Sequence, residues 1–265
     1  MTTPHPITNG MGDSVGSEES SEESNMHVKK RLIPSLMAPL AFVIAFAMPP
    51  SEASHAGTPS VDKFCENDGM VLRPKSDFPD TPVGRVNYNM QSSKMEKAML
   101  CLVNWDRRHE RVRELYTTRL IGKTRYRGLG GAAYDHAIAA AKLRWWGSVA
   151  QYPSCTPRQD DPSRCDPHIN PQTRSTPTKR AEETGYGRGC ANWKVGENAY
   201  TASGKDLTPL DAFTWWMRSE RHRENIRNPE WETMHMRVVW GSADPGTGAS
   251  APGATYVQMF GRCWK

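Results

Sequence analysis

The six cysteines are the reactive side chains that this 265-residue sequence presents most clearly. They stand at Cys65, Cys101, Cys155, Cys165, Cys190 and Cys263. A thiolate can act as a nucleophile or bind a metal, but an even number of cysteines in an exported chain is typical of disulfides. Cys155 and Cys165 bracket a short loop and are expected to pair. The other four cysteines allow three pairings, among which the sequence does not choose.

Common catalytic signatures are missing from the main part of the chain. After residue 56 there is neither His-Glu-x-x-His, which would favour a zinc protease, nor Gly-x-Ser-x-Gly, which would favour a serine esterase. The run Gly128–Ala133 fits a nucleotide-binding pattern in its letters only, because no strand precedes it. We therefore interpret its glycines as a turn.

Three histidines and two tryptophan pairs are expected to be structural. His109 and His136 fall in predicted helices amid charged neighbours, and His235 falls on a strand face opposite methionines. We expect each ring to be partly exposed and none to be a ligand. Trp145-Trp146 and Trp215-Trp216 are expected to bury one side in a core rather than to form sugar-binding platforms.

The first part of the chain has the features of an export signal. Lys29-Lys30-Arg31 precedes the apolar run Leu32–Met48, and the small residues of Ser54-His55-Ala56 follow. A basic segment, a short apolar segment and a small-x-small site are the parts of a secretory signal. We expect cleavage after Ala56, with an uncleaved N-terminal anchor as the alternative. Met26 is the more ordinary start for such a signal.

The net charge is unevenly distributed along the chain. Residues 1–56 carry three basic and six acidic side chains, a net of −3, which leaves +8 for the remainder of a chain whose total is +5. Outside the cytoplasm, a cation of this size favours anionic envelope polymers or lipid headgroups as partners, and no nucleic acid. The basic stretch 107–127 contributes to this charge and is expected to be mainly a solvated helix face.

Patterns in the first half of the remaining chain predict two helices and a long loop. Residues 57–91 lack periodicity and are expected to be an irregular arm, which Cys65 could fix to the domain. The capping box Ser93–Glu96 opens a helix that should run to about Arg119. A second, alanine-rich helix is predicted from Ala132 to Val149. Prolines and two cysteines then predict a fixed loop over 153–177.

The second half alternates short helices and strands. A short helix is predicted over Thr178–Thr184 and a strand over Trp193–Thr201. Thr208-Pro209-Leu210-Asp211 opens another helix, which should end before Asn228-Pro229. Residues 234–241 and 255–262 alternate as two strands of a hairpin. This order predicts an α+β fold in which helices flank a small, mainly antiparallel sheet.

Several segments together resemble a known family. These are Leu100-Cys101-Leu102-Val103-Asn104, Gly185-Tyr186, Trp193-Lys194-Val195-Gly196-Glu197-Asn198, Trp216-Met217-Arg218-Ser219, His222-Arg223, Asn225-Ile226, Asn228-Pro229 and Tyr256-Val257-Gln258-Met259-Phe260-Gly261. Over about residues 93–262 they resemble, in order, the bacterial CAP superfamily (cysteine-rich secretory, antigen-five and pathogenesis-related proteins, with an SCP-like extracellular domain). The resemblance implies an α-β-α sandwich and a cleft lined by histidine and glutamate.

The resemblance also implies the residues of that cleft. His168 takes the first histidine position, Glu197 the glutamate of Gly-Glu-Asn, and His222 the second histidine. The sequence departs from the family where Asp166-Pro167 precedes the first histidine and Glu220-Arg221 the second. The second glutamate of the eukaryotic site has no clear match, and Glu232 is only a loose candidate.

Two imidazoles and one carboxylate could bind a divalent metal such as zinc. The separations of 29 and 25 residues mean that only the fold can bring His168, Glu197 and His222 together. A hydrogen-bonded cluster in which Glu197 orients a histidine ring, with no metal, is the alternative.

Domain organisation and function follow from these features. Residues 1–25 are expected to be a disordered Ser/Glu-rich segment, 26–56 a signal peptide or anchor, 57–91 the arm and 92–265 a CAP/SCP-like domain. We expect an exported protein that binds a ligand or partner at the cell envelope through the His/Glu-lined cleft. A metal-dependent hydrolase using His168, Glu197 and His222, or a structural envelope protein, is the alternative.

Overall fold

A computed structural model of the chain describes residues 65–117, 127–204, 207–248 and 251–265. The Ser/Glu-rich segment, the predicted signal and the start of the arm lie outside these described residues. Within them, no helix is both long and apolar enough to cross a membrane.

The first helix is longer at its start and shorter at its end than the sequence pattern predicts. Helix α1 covers Pro82–His109, and the Thr81 side chain accepts a hydrogen bond from the backbone of Gly84 at 3.1 Å. This cap, with proline at the first helical position, starts the helix before the capping box at Ser93. The last ten residues assigned to the irregular arm are therefore helical. The helix ends early because Arg111 adopts a left-handed conformation, with φ of 57°.

The predicted glycine turn is wrong, because those glycines open the second helix. Helix α2 covers Gly128–Leu143, so it ends six residues before the predicted end at Val149. Arg144, directly after the helix, has a left-handed φ of 56°. A Cβ on Gly130 would lie 3.0 Å from Nη2 of Arg237, so glycine lets α2 approach the sheet. Helix α3 covers Pro177–Glu183, close to its predicted range.

The last predicted helix is two helices separated by one residue. Helix α4 covers Pro209–Arg218 and begins at a capping box formed by Thr208 and Asp211. Helix α5 covers Glu220–Arg227. Ser219 between them has an extended backbone (φ −95°, ψ 119°), so the chain changes direction there. Trp215 of α4 and His222 of α5, on either side of this break, line the same cleft.

Three antiparallel strands form the sheet. They are β1 (Asn192–Ser203), β2 (Thr233–Trp240) and β3 (Gly253–Trp264), in the order β1-β3-β2. The predicted hairpin of β2 and β3 is confirmed. Glu197 on β1 and His235 on β2 both pair in register with Met259 of the central strand.

One hydrophobic cluster lies on each face of the sheet. The first joins α1, α4 and α5 to the sheet around Met99, Trp216 and Phe260. The second joins α2 and α3 to the sheet around Ala137, Trp145 and Val257. Burial of these two apolar layers holds the helices to the sheet. The predicted α+β class, with helices flanking a small antiparallel sheet, is confirmed.

Three disulfides join separate parts of the described chain. They are Cys65–Cys101, Cys155–Cys165 and Cys190–Cys263. The first connects the arm to α1, the second closes the proline-rich loop, and the third connects the segment before β1 to the end of β3. The structure therefore selects one of the three pairings that the sequence left open.

Removing the Cys190–Cys263 disulfide should cost more stability than removing Cys155–Cys165. Loop closure in the unfolded chain predicts about 4 kcal/mol for a separation of 73 residues and about 3 kcal/mol for a separation of 10. Urea unfolding of Cys190→Ala/Cys263→Ala and of Cys155→Ala/Cys165→Ala would compare the two losses. A larger loss for the loop pair would contradict this ranking.

Candidate ligand-binding cleft

Glu197 is a buried carboxylate with both oxygens engaged. Its side chain, on β1, is 1% exposed. Oε1 accepts a hydrogen bond from Nδ1 of His168 at 2.9 Å, and Oε2 accepts one from Nη2 of Arg180 at 2.7 Å. Nε2 of His136 lies 3.7 Å from Oε1. Glu197 thus connects the proline-rich loop, α2 and α3 to the sheet.

The residues on either side of Glu197 explain how it is placed. A Cβ on Gly196 would lie 2.7 Å from Oδ1 of Asn225, so only glycine lets α5 pack this closely on β1. Asn225 donates to the backbone oxygen of Glu197 and to Oδ1 of Asn198, at 3.2 and 3.0 Å. Asn198 in turn donates to the backbone oxygen of His222 at 3.2 Å. The Gly-Glu-Asn segment therefore fixes α5 to the sheet.

Electrostatics keep Glu197 ionised. Burial alone would raise its pKa, but the Arg180 guanidinium and the adjacent His136 and His168 outweigh burial and hold the pKa of the carboxyl well below its usual range. Arg180 also donates to the backbone oxygens of His168 and Ser175, at 3.1 and 2.7 Å. A charge-assisted pair with such additional hydrogen bonds is the arrangement in which a buried charge is tolerated.

His168 lies at the boundary between this buried pair and solvent. Its side chain is 32% exposed, and its backbone nitrogen donates to Oδ1 of Asp166 at 2.8 Å. The Asp-Pro that departs from the family pattern thus fixes the turn that presents the ring. Because Nδ1 donates to Glu197, Nε2 is the ring nitrogen left for a ligand.

His222 presents its ring from the other side. Nδ1 lies 2.7 Å from Oγ of Ser219, and the ring centroid lies 5.0 Å from that of Trp215. Burial, with smaller contributions from His168 and Arg158, lowers the pKa of His222 to about 4. The ring is therefore neutral at neutral pH, with Nε2 left for a ligand.

A cleft of about 300 Å³ separates the two histidines. The proline-rich loop supplies one wall, with His168, Arg158 and Asp160, and the α4–α5 region supplies the other. Asp160 connects the walls, since it accepts two hydrogen bonds from Arg158, at 2.9 and 2.7 Å, and one from Arg221 at 2.9 Å. The structure thus places His168 and His222 on one cleft, with Glu197 behind His168.

His136 and Arg180 belong to this cluster, although sequence reasoning missed both. His136 is 1% exposed, so the expectation of a partly exposed ring is wrong. Nε2 donates to the backbone oxygen of Pro167 at 2.8 Å, while Nδ1 is buried without a partner among the described residues. Burial, opposed by the Glu197 carboxylate, lowers the pKa of His136 to about 4. The alanines around His136 were the signal that its helix face is buried, whereas Arg180 gave no such signal.

The remaining candidate residues lie elsewhere. His109 is exposed, as expected. His235 is buried, so the expectation of a partly exposed ring is wrong. Its Nδ1 hydrogen-bonds to Oε1 of Glu96 in α1 at 3.0 Å, and Glu96 also forms an ion pair with Arg237. Glu232 pairs with arginines at 113 and 262 rather than facing the cleft.

The geometry does not suit the metal site that the sequence suggests. Both oxygens of Glu197 are engaged by His168 and Arg180, and the side chain does not line the cleft. Across the described ranges, no group of three or more His, Cys, Asp or Glu side chains is arranged to hold a metal ion. The imidazoles of His168 and His222 alone fall short of the three protein ligands usual in catalytic zinc sites. The metal assignment of His168, Glu197 and His222 stays a prediction.

Comparisons with known proteins find only distant likenesses. No family profile and no curated protein sequence matches the chain. An extracellular protein containing an SCP domain from Bacillus anthracis aligns at 17% identity with a TM-score of 0.45, over 71% of this chain and 45% of that protein. The chain therefore spans less than half of that protein's length. An outer surface protein from Borrelia burgdorferi aligns at 15% identity with a TM-score of 0.39, over 63% of this chain and 91% of the other. Likenesses at this level do not identify a family.

Proposed function

We propose that this chain is an exported, CAP-like module that binds a ligand of the cell envelope in the cleft between His168 and His222. One observation carries the proposal. Each ring uses Nδ1 for a protein contact, to Glu197 or to Ser219, and each ring lines the same cleft. Two oriented imidazoles with an available nitrogen form a recognition site that needs little rearrangement when a ligand binds.

Binding is favoured over the hydrolase alternative because that alternative needs Glu197 as a metal ligand or general base, and Glu197 is not among the described residues that line the cleft. Glu197 is ionised and locked by Arg180. Asp160 is engaged by two guanidiniums, and Asp166 accepts the backbone nitrogen of His168. A carboxylate that acts as a general base must reach the proton that it removes, and each of these three has at least one oxygen in a structural contact.

The proposed cellular location rests on features of the chain outside the cleft. Three disulfides in the described part suit an oxidising compartment, and the basic-apolar-small pattern that ends at Ala56 suits export. The segments in CAP order support the family assignment. A net charge of +8 after residue 56 favours an envelope rich in anionic polymers or lipid headgroups.

The proposal predicts binding that depends on the two cleft histidines. The protein from residue 57 onward should co-sediment with purified peptidoglycan sacculi or with phosphatidylglycerol vesicles. His168→Ala/His222→Ala should weaken this binding about tenfold or more, since roughly 1.4 kcal/mol of lost hydrogen bonding is a factor of ten. His109→Ala removes an exposed ring that does not line the cleft and should leave binding unchanged.

Two outcomes would contradict the proposal. Binding that survives the double substitution would place recognition outside the cleft, and binding to neither probe would favour a structural envelope protein. Elemental analysis of protein purified without chelators tests the hydrolase alternative. Stoichiometric metal that is lost in His168→Ala/His222→Ala would support that alternative instead.

A further inference from the structure

Trp215 is a large aromatic side chain that lines the cleft. It is 45% exposed, whereas its neighbour Trp216 is fully buried and donates Nε1 to the backbone oxygen of Ala199 at 3.2 Å. Tyr200 and His222 contact the Trp215 ring at centroid distances of 5.5 and 5.0 Å. These contacts fix the indole, which lines the cleft and keeps part of its surface exposed.

The rest of the cleft is polar without an excess of charge. Of the described residues that line the cleft, only Pro167, Ala199 and Trp215 are apolar. The guanidiniums of Arg158 and Arg221 are both bound to Asp160, and Asp166 supplies a second negative charge. The cleft therefore offers hydrogen-bonding groups beside an aromatic surface, with its positive and negative charges balanced.

From this arrangement we infer that the cleft binds a neutral sugar ring of an envelope polysaccharide. The apolar C–H face of the ring lies on Trp215, and its hydroxyls bond to Nε2 of His168 and of His222. This inference rests on the proposed function and names its ligand class. Aromatic side chains suit such a ligand because they present a broad, rigid apolar surface, while the polar groups around them fix orientation.

Two other ligand classes fit the cleft less well. A lipid acyl chain needs a continuous apolar lining, which the many polar residues interrupt. A phosphate would have to compete with Asp160 for both arginines. A volume of about 300 Å³ is at the small end for a ligand pocket, which suits one residue of a longer chain.

Competition with soluble sugars tests the inference. Chitotetraose, cellotetraose and maltotetraose would be added to the sacculus co-sedimentation, with inorganic phosphate in a parallel series. We expect at least one neutral oligosaccharide to displace the protein and phosphate to be ineffective. Displacement by phosphate alone, or by none of these compounds, would overturn the inference.

Variants of Trp215 separate stacking from a structural effect. Trp215→Ala should weaken oligosaccharide binding about tenfold or more, and Trp215→Phe should retain most of it, because the phenyl ring keeps an aromatic surface. Tyr116→Ala is the matched control, since Tyr116 is 55% exposed and does not line the cleft. Sugar binding should also shift the tryptophan emission of the unmodified protein but not that of Trp215→Phe.

The two proposals fail in different ways. If Trp215→Ala binds sacculi normally while His168→Ala/His222→Ala does not, the cleft binds a ligand that is not stacked on Trp215, and only the inference falls. Thermal unfolding of each variant establishes that the comparison is made between folded proteins.

Discussion

Replacing Arg180 with methionine should lower the free energy of unfolding by about 3–5 kcal/mol, the usual cost of leaving a buried charge without its partner. Among the described residues, Arg180 is the only arginine that forms an ion pair with Glu197. It also donates hydrogen bonds to the backbone oxygens of His168 and Ser175. Its removal should raise the pKa of Glu197, since burial then acts with less opposition. Urea unfolding at neutral pH measures the loss.

The adjacent Lys179 provides a matched control. Lys179 forms exposed ion pairs with Glu182 and Glu183, so Lys179→Met should cost no more than about 1 kcal/mol. If Arg180→Met does not fold, Arg180→Met/Glu197→Gln should recover structure by removing both charges. An equal effect of Lys179→Met and Arg180→Met would refute the special role of the buried pair.

Acidification from pH 6.5 toward pH 4 should destabilise the protein. The pKa of His136 is about 4 in the folded state against 6.5 ordinarily, so in this range the unfolded chain takes up a proton that the folded chain does not. The contribution of His136 to the free energy of unfolding is therefore complete above pH 6.5. It declines as the pH falls toward 4, by up to about 3 kcal/mol. The lowered pKa of His222 acts in the same direction, and that of Glu197 adds to the loss below pH 4.5.

Substitution of His136 isolates its share of this effect. His136→Gln keeps an amide that can donate to the backbone oxygen of Pro167 but does not titrate, so its stability should vary less between pH 6.5 and 4. His109→Gln, at an exposed ring of α1, is the control substitution. Chemical unfolding across this pH range measures how the free energy of unfolding of each variant changes with pH. The same change for His136→Gln and for the unmodified protein would exclude His136 as the source of the acid destabilisation.

Glu197, Arg180 and His168 are the charged and titratable groups that act on His136.

The sequence predicts most of the elements because their signals are local. The Thr208–Asp211 start of α4 and the alternation in β2 each act within a few residues. Local signals also compete, and the start of α1 shows this. Thr81-Pro82 and Ser93–Glu96 are both good helix starts, and the sequence alone does not show that the chain uses the first.

The buried part of the site was harder to predict because its contacts are distant in sequence. Arg180 pairs with Glu197 across 17 residues, from a short helix whose other charged side chains are exposed. His136 reaches Pro167 across 31 residues. The family resemblance supplied His168, Glu197 and His222, but it did not supply the groups that fix them.

The position of β3 in the sheet has a consequence for biogenesis. β3 lies between β1 and β2 but follows both in the chain, so neither has its hydrogen-bonding neighbour until residues 253–264 have been synthesised. Nascent chains fold as their segments emerge, but here a sheet cannot assemble from the earlier segments alone. The Cys190–Cys263 bridge also has to wait for the last strand. A polypeptide of this topology therefore acquires its sheet, and the cleft built on β1, only after its last strand has been synthesised.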